Sequence, residues 1–116
     1  MISYFFLVTA TDAAVAVAEY ISGSEDVFVE RMNERARELG CINTNFMNPH
    51  GLDEEGHYTT AYDLSLIARE LVKHDYAIEI TSTYEDYIDV SGEEHWLVNT
   101  NKVVFKFYYT NNYSRT

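Results

Sequence analysis

The sequence predicts an α+β fold that is mainly helical, with a small antiparallel β-element towards the C-terminal end. Apolar residues recur every three or four positions through most of the first 80 residues, a spacing typical of amphipathic helices. After Thr81 the apolar period changes to two, which is typical of β-strands. With 116 residues, of which 47% are hydrophobic, the chain is expected to form one domain or part of a larger one.

The charge balance argues against two classes of partner. The chain has 8 Lys and Arg residues and 19 Asp and Glu residues, a formal net charge of −11. Nucleic acids and anionic membrane surfaces both require clustered basic side chains, so neither is expected to bind. The apolar residues 1–8 lack a basic leader and are far fewer than the ~20 residues that cross a bilayer. We therefore expect neither a signal peptide nor a membrane segment in this sequence.

The first predicted helix covers residues 11–21 and is rich in small apolar side chains. Thr11 or Asp12 suits its N-terminal cap, and Gly23 stands where a left-handed residue commonly ends a helix. A helix that is apolar nearly all round is usually buried, so the pattern predicts that this helix lies in the core.

The second predicted helix begins after Ser24, a favourable N-cap residue, and ends at Gly40. Acidic residues occupy its first turn, where the helix dipole favours negative charge. Charged residues fill one face, which indicates a solvated surface and not a binding site. The opposite, apolar stripe is formed by Phe28, Met32, Ala36 and Leu39.

The periodicity disappears between residues 41 and 59, where turn-forming residues such as Asn48-Pro49 and His50-Gly51 are frequent. An ordered loop of this length is uncommon, and it is often functional or packed as a compact unit. The side chains expected to anchor it to the core are Phe46, Met47 and Leu52.

The third predicted helix begins at Thr60, which forms a capping box with Asp63 three residues later. Its apolar positions follow the i, i+3, i+4, i+7 pattern, and a short helical turn is expected over residues 76–80. The stripe consists of Leu64, Ile67, Ala68 and Leu71.

The C-terminal part predicts strands. Residues 84–90 alternate with period two, Ser91-Gly92 marks a turn, and residues 95–98 are able to pair back as a hairpin. Residues 102–109 are a further strand candidate with a heavily aromatic face.

The buried positions are predicted from these patterns. Cys41 is the single cysteine, so an internal disulfide and a multi-thiolate metal site are excluded, and a buried, inert thiol is expected. The predicted helical core consists of Val15, Val17, Phe28, Met32, Leu64, Ile67 and Leu71.

Three loop residues form a constellation with metal-ligand chemistry: His50, Asp53 and His57. Imidazole and carboxylate groups bind zinc, although a third strong ligand would have to come from elsewhere. The alternative is that both histidines bond to the backbone and lock the turns of the loop. Cys41 and His50 would form a thiol dyad only if the fold brought them together. The sequence contains no P-loop, no zinc-protease helix motif and no nucleophile elbow.

Several segments of the chain resemble those of D-alanyl-D-alanine carboxypeptidases, the low-molecular-weight penicillin-binding proteins. The resemblance extends over residues 9–101, and its most specific parts are residues 48–53 (NPHGLD) and 57–63 (HYTTAYD); residues 12–19 and 28–33 support it. It implies a serine β-lactamase-like fold, of which residues 1–116 would be a single partial domain covering the helical part. It also implies removal of the terminal D-alanine from peptidoglycan stem peptides by an exported enzyme that needs no cofactor.

The family uses three motifs around its active site, and two are missing from this sequence. The three lysines, Lys73, Lys102 and Lys106, are neither preceded by Ser at position −3 nor followed by Thr-Gly or Ser-Gly. The chain therefore has neither Ser-x-x-Lys, which supplies the nucleophile, nor Lys-Thr-Gly, which binds the substrate carboxylate. The resemblance places the third motif, Ser-x-Asn, at Thr9 and Thr11. Thr9 keeps a hydroxyl, but Thr11 lacks the amide of Asn, which both donates and accepts.

These observations predict an internal piece of a carboxypeptidase domain, from a truncated, frame-shifted or split gene, that is inactive alone. The alternative is a non-catalytic module that binds cell-wall peptide or complements a partner chain carrying the missing motifs. A minority alternative is a metal-binding loop protein. Residues 102–109 would form an uncovered edge in such a piece, which predicts self-association through the β-element.

Overall fold

The computed structural model describes residues 11–101, which form two compact units, residues 11–74 and residues 75–101. The first unit contains three helices, α1 (Thr11–Ser22), α2 (Glu25–Glu38) and α3 (Ala61–Leu71). The second contains a short helix, α4 (Asp75–Thr81), followed by strands β1 (Glu85–Val90) and β2 (Glu93–Val98). The predicted α+β class, mainly helical with a small antiparallel β-element, is confirmed. The single-domain assignment of residues 1–116 stays a prediction.

Local signals set the boundary between α1 and α2 as expected. Gly23 adopts a φ of +83°, and its N–H donates to the carbonyl of Glu19 at 2.8 Å, so it closes α1 in the left-handed conformation that suits glycine. Ser24 caps α2, and its Oγ accepts a hydrogen bond from the N–H of Val27 at 3.2 Å. The predicted N-caps of α1 are wrong, because Thr11 and Asp12 are themselves helical.

The α1 helix packs against α2 through its smallest side chains. Ala14 and Ala18 of α1 are buried, as is Ala36 of α2. Small side chains allow two helix backbones to approach closely. The prediction that α1 lies in the core is correct for one face only, because Tyr20 and Ile21 are 92% and 51% exposed.

The inward face of α3 is displaced by about one residue from the predicted stripe. Asp63 is fully buried, and Leu66, Ile67 and Glu70 are half-buried, whereas the predicted core residues Leu64 and Leu71 are exposed. The other predicted core residues, Val15, Val17, Phe28 and Met32, are half-buried. Compared with the predicted stripe, the observed inward face is turned about the helix axis, so that the polar residue Asp63 faces inward. The buried apolar residues among those described are Ala14, Ala18, Ala36, Cys41, Ile80 and Leu97.

The second unit is a helix followed by a tight hairpin. Strands β1 and β2 are antiparallel, with Tyr87 opposite Trp96, and Ser91 (φ 55°) and Gly92 (φ 87°) form the two-residue turn. Positive φ at both turn positions matches the twist of a hairpin, so the predicted Ser91-Gly92 turn is confirmed. The side-chain amide of Asn99 donates to the carbonyls of Thr81 and Thr83, at 3.0 and 2.9 Å, which ties the end of β2 to the end of α4. The strand expected over residues 102–109 lies outside the described residues.

Within residues 11–101, none of the helices has the length and apolar character needed to cross a membrane.

Candidate functional site

The loop that joins α2 to α3 is a compact, hydrogen-bonded structure, and it contains most of the residues singled out by their chemistry. Its two halves meet at an antiparallel bridge between Asn45 and Tyr58, whose backbone N–O distances are 2.9 and 3.1 Å. Asn45 also donates its side-chain amide to the carbonyl of Gly56 at 2.8 Å. The loop therefore satisfies much of its own backbone, as a loop of this length must if it is to be ordered.

Asn33 attaches this loop to α2. Its side-chain oxygen accepts from the N–H of Phe46 at 2.7 Å, and its side-chain nitrogen donates to the carbonyl of Phe46 at 2.9 Å. One amide thus pairs with both backbone groups of a single loop residue, which fixes the position and the direction of the chain at Phe46.

Asn48 organises the turn that follows. The residue is 3% exposed, and its side-chain oxygen accepts from the N–H of Gly51 at 2.8 Å. Its side-chain nitrogen donates to the carbonyl of Leu52 and to Oε2 of Glu54, both at 3.0 Å. A buried amide with donors and acceptor occupied stabilises one loop conformation, because any other would leave it unpaired.

The two loop histidines accept hydrogen bonds from the backbone. His57 Nδ1 accepts from the N–H of Met47 at 2.9 Å, and its ring contacts Phe46 edge-on at a centroid distance of 5.9 Å. His50 Nδ1 accepts from the N–H of Leu52 at 3.3 Å, and its Nε2 lies 3.9 Å from a carboxylate oxygen of Glu25. This is the backbone-bonding alternative considered above.

This hydrogen bonding favours the backbone-bonding alternative over a metal site at His50, Asp53 and His57. A neutral imidazole has one nitrogen lone pair, and in both rings that lone pair already accepts a backbone N–H, so the other nitrogen carries the proton. Asp53 is exposed. Among residues 11–101, no three His, Cys, Asp or Glu side chains are placed to hold a metal ion.

Asp63 joins both ends of the loop to α3. Its side chain is fully buried, and Oδ2 accepts from the N–H of Asn43 at 2.8 Å and from the hydroxyl of Thr44 at 2.7 Å. Because the single hydroxyl proton of Thr44 is used there, the hydroxyl of Thr59 donates to Thr44, at 2.9 Å. Oδ1 of Asp63 is buried, and no described residue donates a hydrogen bond to it.

Only half of the predicted capping box at α3 is correct. The hydroxyl oxygen of Thr60 accepts from the N–H of Asp63 at 3.1 Å, as expected. The carboxylate of Asp63 does not return to the N–H of Thr60, because it is engaged by Asn43 and Thr44. The Asp side chain is one methylene shorter than the Glu that usually completes this motif, and here it reaches into the loop instead.

Cys41 is a buried thiol, 1% exposed, that donates to the backbone carbonyl of Asp63 at 3.5 Å. Burial, and then the nearby charge of Asp63, raise the pKa of the Cys41 thiol. The predicted burial of Cys41 is confirmed, and its low reactivity stays a prediction. The structure does not bring Cys41 to His50, whose ring lies against Glu25 and Leu52, so the thiol dyad is not formed.

Glu70 links α2 to α3 at the surface. Its carboxylate lies 2.9 Å from the guanidinium of Arg35 and 2.9 Å from the ammonium of Lys73. The hydrogen bond from Lys73, followed by the charges of Lys73 and Arg35, lowers the pKa of the Glu70 carboxyl.

The structure describes only one of the two residues at the Ser-x-Asn position. Thr11 is the first described residue of α1 and is half-buried, whereas Thr9 lies outside the described residues.

Sequence reasoning missed Asn33 and the role of Asp63 in the loop. The capping signal at Thr60 did point to Asp63, but as a helix residue, and no local pattern indicated the partner of Asn33.

Comparison with known proteins assigns the family. The family described as D-alanyl-D-alanine carboxypeptidase matches residues 1–115. The D-alanyl-D-alanine carboxypeptidase DacF of Bacillus subtilis is 50% identical over 109 residues, which are 93% of this chain and 28% of that protein. The DacA protein of Haemophilus influenzae is 43% identical over 67 residues, 58% of this chain and 17% of its own length. This chain thus spans less than a third of the length of either relative.

Solved structures of similar fold support the same assignment. A D-alanyl-D-alanine carboxypeptidase from Mycobacterium tuberculosis superposes with a TM-score of 0.80 at 29% identity, over 90% of this chain and 40% of that one. Penicillin-binding protein 5 from Haemophilus influenzae does so with a TM-score of 0.80 at 31% identity, over 91% of this chain and 30% of that one. By its match over residues 1–115 and by its fold, this chain belongs to the D-alanyl-D-alanine carboxypeptidase family.

Proposed function

We propose that this chain provides the helical part of a serine-type D-alanyl-D-alanine carboxypeptidase that removes the terminal D-alanine from peptidoglycan stem peptides. The observation that carries the proposal is the family match over residues 1–115. Catalysis also requires the Ser-x-x-Lys and Lys-Thr-Gly motifs, which these 116 residues lack. The 116 residues by themselves are therefore inactive, because acyl transfer cannot begin without a nucleophile.

The chain's own contribution to the chemistry comes from Thr9 and Thr11, where the resemblance places the Ser-x-Asn motif. The hydroxyl of Thr9 is suited to pass a proton between the acylated serine and the leaving group. Thr11 has a hydroxyl where the family has the side-chain amide of Asn. The hydroxyl provides one donor, but it lacks the separate donor and acceptor groups that an amide holds in one plane. Thr11 belongs to a helix anchored on α2 by buried alanines, which supports a fixed position for this edge of the site.

Acylation by a fluorescent penicillin tests the proposal. The 116-residue chain alone should give no covalent adduct by mass spectrometry. A chimera in which this chain replaces the matching 109 residues of the Bacillus subtilis relative should be acylated and should release D-alanine from a stem-peptide substrate. A stoichiometric adduct on the chain alone would refute its inactivity, and a folded chimera that is not acylated would refute its role as the helical part.

The chimera also tests the two threonines. Thr11→Asn restores the amide and should raise the acylation rate by about 10-fold or more, the range over which a positioned polar group acts in catalysis. Thr9→Ala, in contrast, should reduce the rate by a similar factor. The matched control is Ser22→Ala at the opposite end of the same helix, which should leave the rate unchanged. Equal rates in all four proteins would show that residues 9–11 lie outside the reacting groups.

One observation favours the alternative of a non-catalytic, partner-binding module. A groove of about 520 Å³ lies along α1 and α2, and Ile21, Phe28 and Met32 form its apolar part between arginine and glutamate side chains. Such a groove is able to receive an apolar segment of a complementing chain. Under this alternative, Phe28→Glu would abolish assembly with a chain that carries the missing motifs, whereas the exposed Val27→Glu would not. Assembly of both variants would rule out this groove as the contact.

A further inference from the structure

The outer face of the β1–β2 hairpin differs in character from its inner face. Side chains alternate along a strand, and the register places Leu97, which is buried, and Ile88, which is half-buried, on the inner face. The outer face therefore carries the other set of residues. They are Glu85, Tyr87 and Asp89 from β1, with Glu94, Trp96 and Val98 from β2.

Two aromatic rings form the centre of this outer face. Tyr87 and Trp96 are directly opposite in the register, with ring centroids 5.6 Å apart and planes inclined by 40°. They are 54% and 68% exposed, so the rings keep much of their surface open to solvent. Exposed faces of Trp and Tyr attract cations through the quadrupole of the ring, and Trp does so most strongly.

Two carboxylates lie beside the rings towards the turn. Asp89 is directly opposite Glu94, and like charges in that position destabilise a hairpin. Residues on one face of a strand are ~7 Å apart, so both carboxylates are within reach of a cation that lies over the rings. The imidazole of His95, whose Nε2 lies 3.9 Å from Oε2 of Glu93, belongs to the inner face.

The surrounding sequence offers this face no basic residue. Residues 75–101 contain neither Lys nor Arg. The same segment carries the acidic residues Asp75, Glu79, Glu85, Asp86, Asp89, Glu93 and Glu94. A cation that relieved the repulsion between Asp89 and Glu94 must therefore come from outside this segment.

We propose that the outer face of the hairpin binds a lysine side chain of an extended basic polypeptide, with its ammonium group over Trp96 and Tyr87 and between the carboxylates of Asp89 and Glu94. The aromatic rings contact the apolar stem of the lysine, and the carboxylates neutralise its charge. This interaction surface is independent of the carboxypeptidase activity proposed above. A neutral sugar would stack on the rings and donate hydroxyl hydrogen bonds to the carboxylates, but it carries no positive charge to relieve the repulsion between them.

Trp96 is the only tryptophan in the chain, so its fluorescence reports on this face alone. The full chain is titrated with terminally blocked tetralysine at low and at physiological salt, with tetraglycine and a chitin tetrasaccharide as the comparison ligands. Tetralysine should change the emission of Trp96 saturably, and the affinity should fall as salt rises. Tetraglycine and the tetrasaccharide should not produce this change.

Variants then separate this face from the general acidity of the chain. Asp89→Asn with Glu94→Gln should weaken tetralysine binding by about 10-fold, the effect of two charges close to the ligand. The amide oxygen that the first substitution introduces can still accept the turn hydrogen bond that Asp89 now receives from the N–H of Gly92 at 2.8 Å. Asp53→Asn with Glu55→Gln makes the same change in net charge at exposed loop positions, and the affinity should change by less than about 2-fold.

Four results would overturn the proposal. The first is no saturable change of Trp96 emission with tetralysine, and the second is equal binding of the tetrasaccharide. The third is equal weakening by both pairs of substitutions, which would reduce the effect to net charge. The fourth is tetralysine binding only after Lys102→Gln with Lys106→Gln, which would make the chain's own lysines the occupants of the face.

Discussion

A buried aspartate, Asp63, controls how the central loop meets α3. Its carboxylate accepts a backbone N–H from Asn43 and a hydroxyl from Thr44, and the Thr44–Thr59 hydrogen bond extends the connection to the far end of the loop. A buried carboxylate loses the solvation of water, so these hydrogen bonds must compensate for that loss. Removing either partner leaves polar groups unpaired inside the unit.

Asp63→Ala should therefore lower the free energy of unfolding by about 2–4 kcal/mol, because it leaves the N–H of Asn43 and the hydroxyl of Thr44 without an acceptor. Urea unfolding followed by circular dichroism measures the change. The exposed Asp53→Ala is the matched control and should change stability by less than about 0.5 kcal/mol. If both variants unfold at the same urea concentration, the Asp63 network does not stabilise the fold.

The thiol of Cys41 should be unreactive in the folded chain. Its pKa is raised by burial and by Asp63, so the reactive thiolate is scarcer than in a free cysteine, and the sulfur is also inaccessible. An aromatic disulfide reagent at pH 8 should label Cys41 slowly without denaturant and rapidly in concentrated urea. Rapid labelling in both conditions would contradict the buried position.

At the scale of elements, α2 and α3 are joined at the surface by Glu70 and in the loop by Asn33 and Asp63. The first connection is an exposed ion pair, which solvent screens, and the other two are short hydrogen bonds with partly or fully buried groups. The loop contacts should therefore contribute more to the alignment of the two helices than the salt bridge does.

The Glu70 ion pairs should make the stability of the helical unit sensitive to acid. Because the pKa of Glu70 is lowered in the folded chain, its stabilising contribution is present above the ordinary value of 4.5 and is lost as the pH falls through the lowered pKa. Glu70→Gln should therefore reduce stability at neutral pH but not at the acid end of the titration, so its difference from the parent disappears on acidification. Urea midpoints at a series of pH values measure this.

The control for this experiment is Glu34→Gln, which makes the same charge change on the exposed face of α2. Its difference from the parent should not follow the same pH course. A constant difference between the Glu70→Gln variant and the parent at every pH would contradict the role of the ion pairs.

At the scale of the whole molecule, much apolar surface remains exposed on the described residues. Tyr20 is 92% exposed, Ile42 86% and Val72 57%, although the chain carries enough hydrophobic residues for a core. The relatives are more than three times as long as the matched segment, which is 28% of the Bacillus subtilis protein. The exposed apolar side chains of this chain therefore belong to a segment that is accompanied by further residues in those relatives.

The isolated chain should therefore self-associate, with residues 102–109 as the proposed contact. Sedimentation velocity at micromolar concentrations should show dimers or larger species, and their fraction should rise with concentration. Phe105→Lys with Phe107→Lys should shift the distribution towards monomer, because the added charges oppose association through this aromatic segment. The matched control is Tyr20→Lys with Ile42→Lys, which adds the same charge at two exposed apolar residues outside this segment. A single monomeric species of the parent chain at every concentration would contradict this prediction.

Short-range chemistry accounts for what the sequence by itself determined. Ser24, Gly23, Thr60 and the Ser91-Gly92 turn act on neighbours within four residues, so the helix ends and the hairpin were predictable from adjacent positions. The family was also predictable, because residues 48–53 and 57–63 are specific as strings. The roles of Thr9 and Thr11 stay predictions.

Only the tertiary structure decided which side chains are buried and what the loop residues bind. Asn33 meets Phe46 across 13 positions, and Asp63 meets Asn43 across 20, so no window of local periodicity contains either pair. The inward face of α3 likewise follows from the hydrogen bonds of Asp63, and it differs from the apolar stripe that the sequence of α3 predicts. A buried carboxylate requires hydrogen-bond donors, and at α3 this requirement outweighs the preference of Leu64 and Leu71 for the interior.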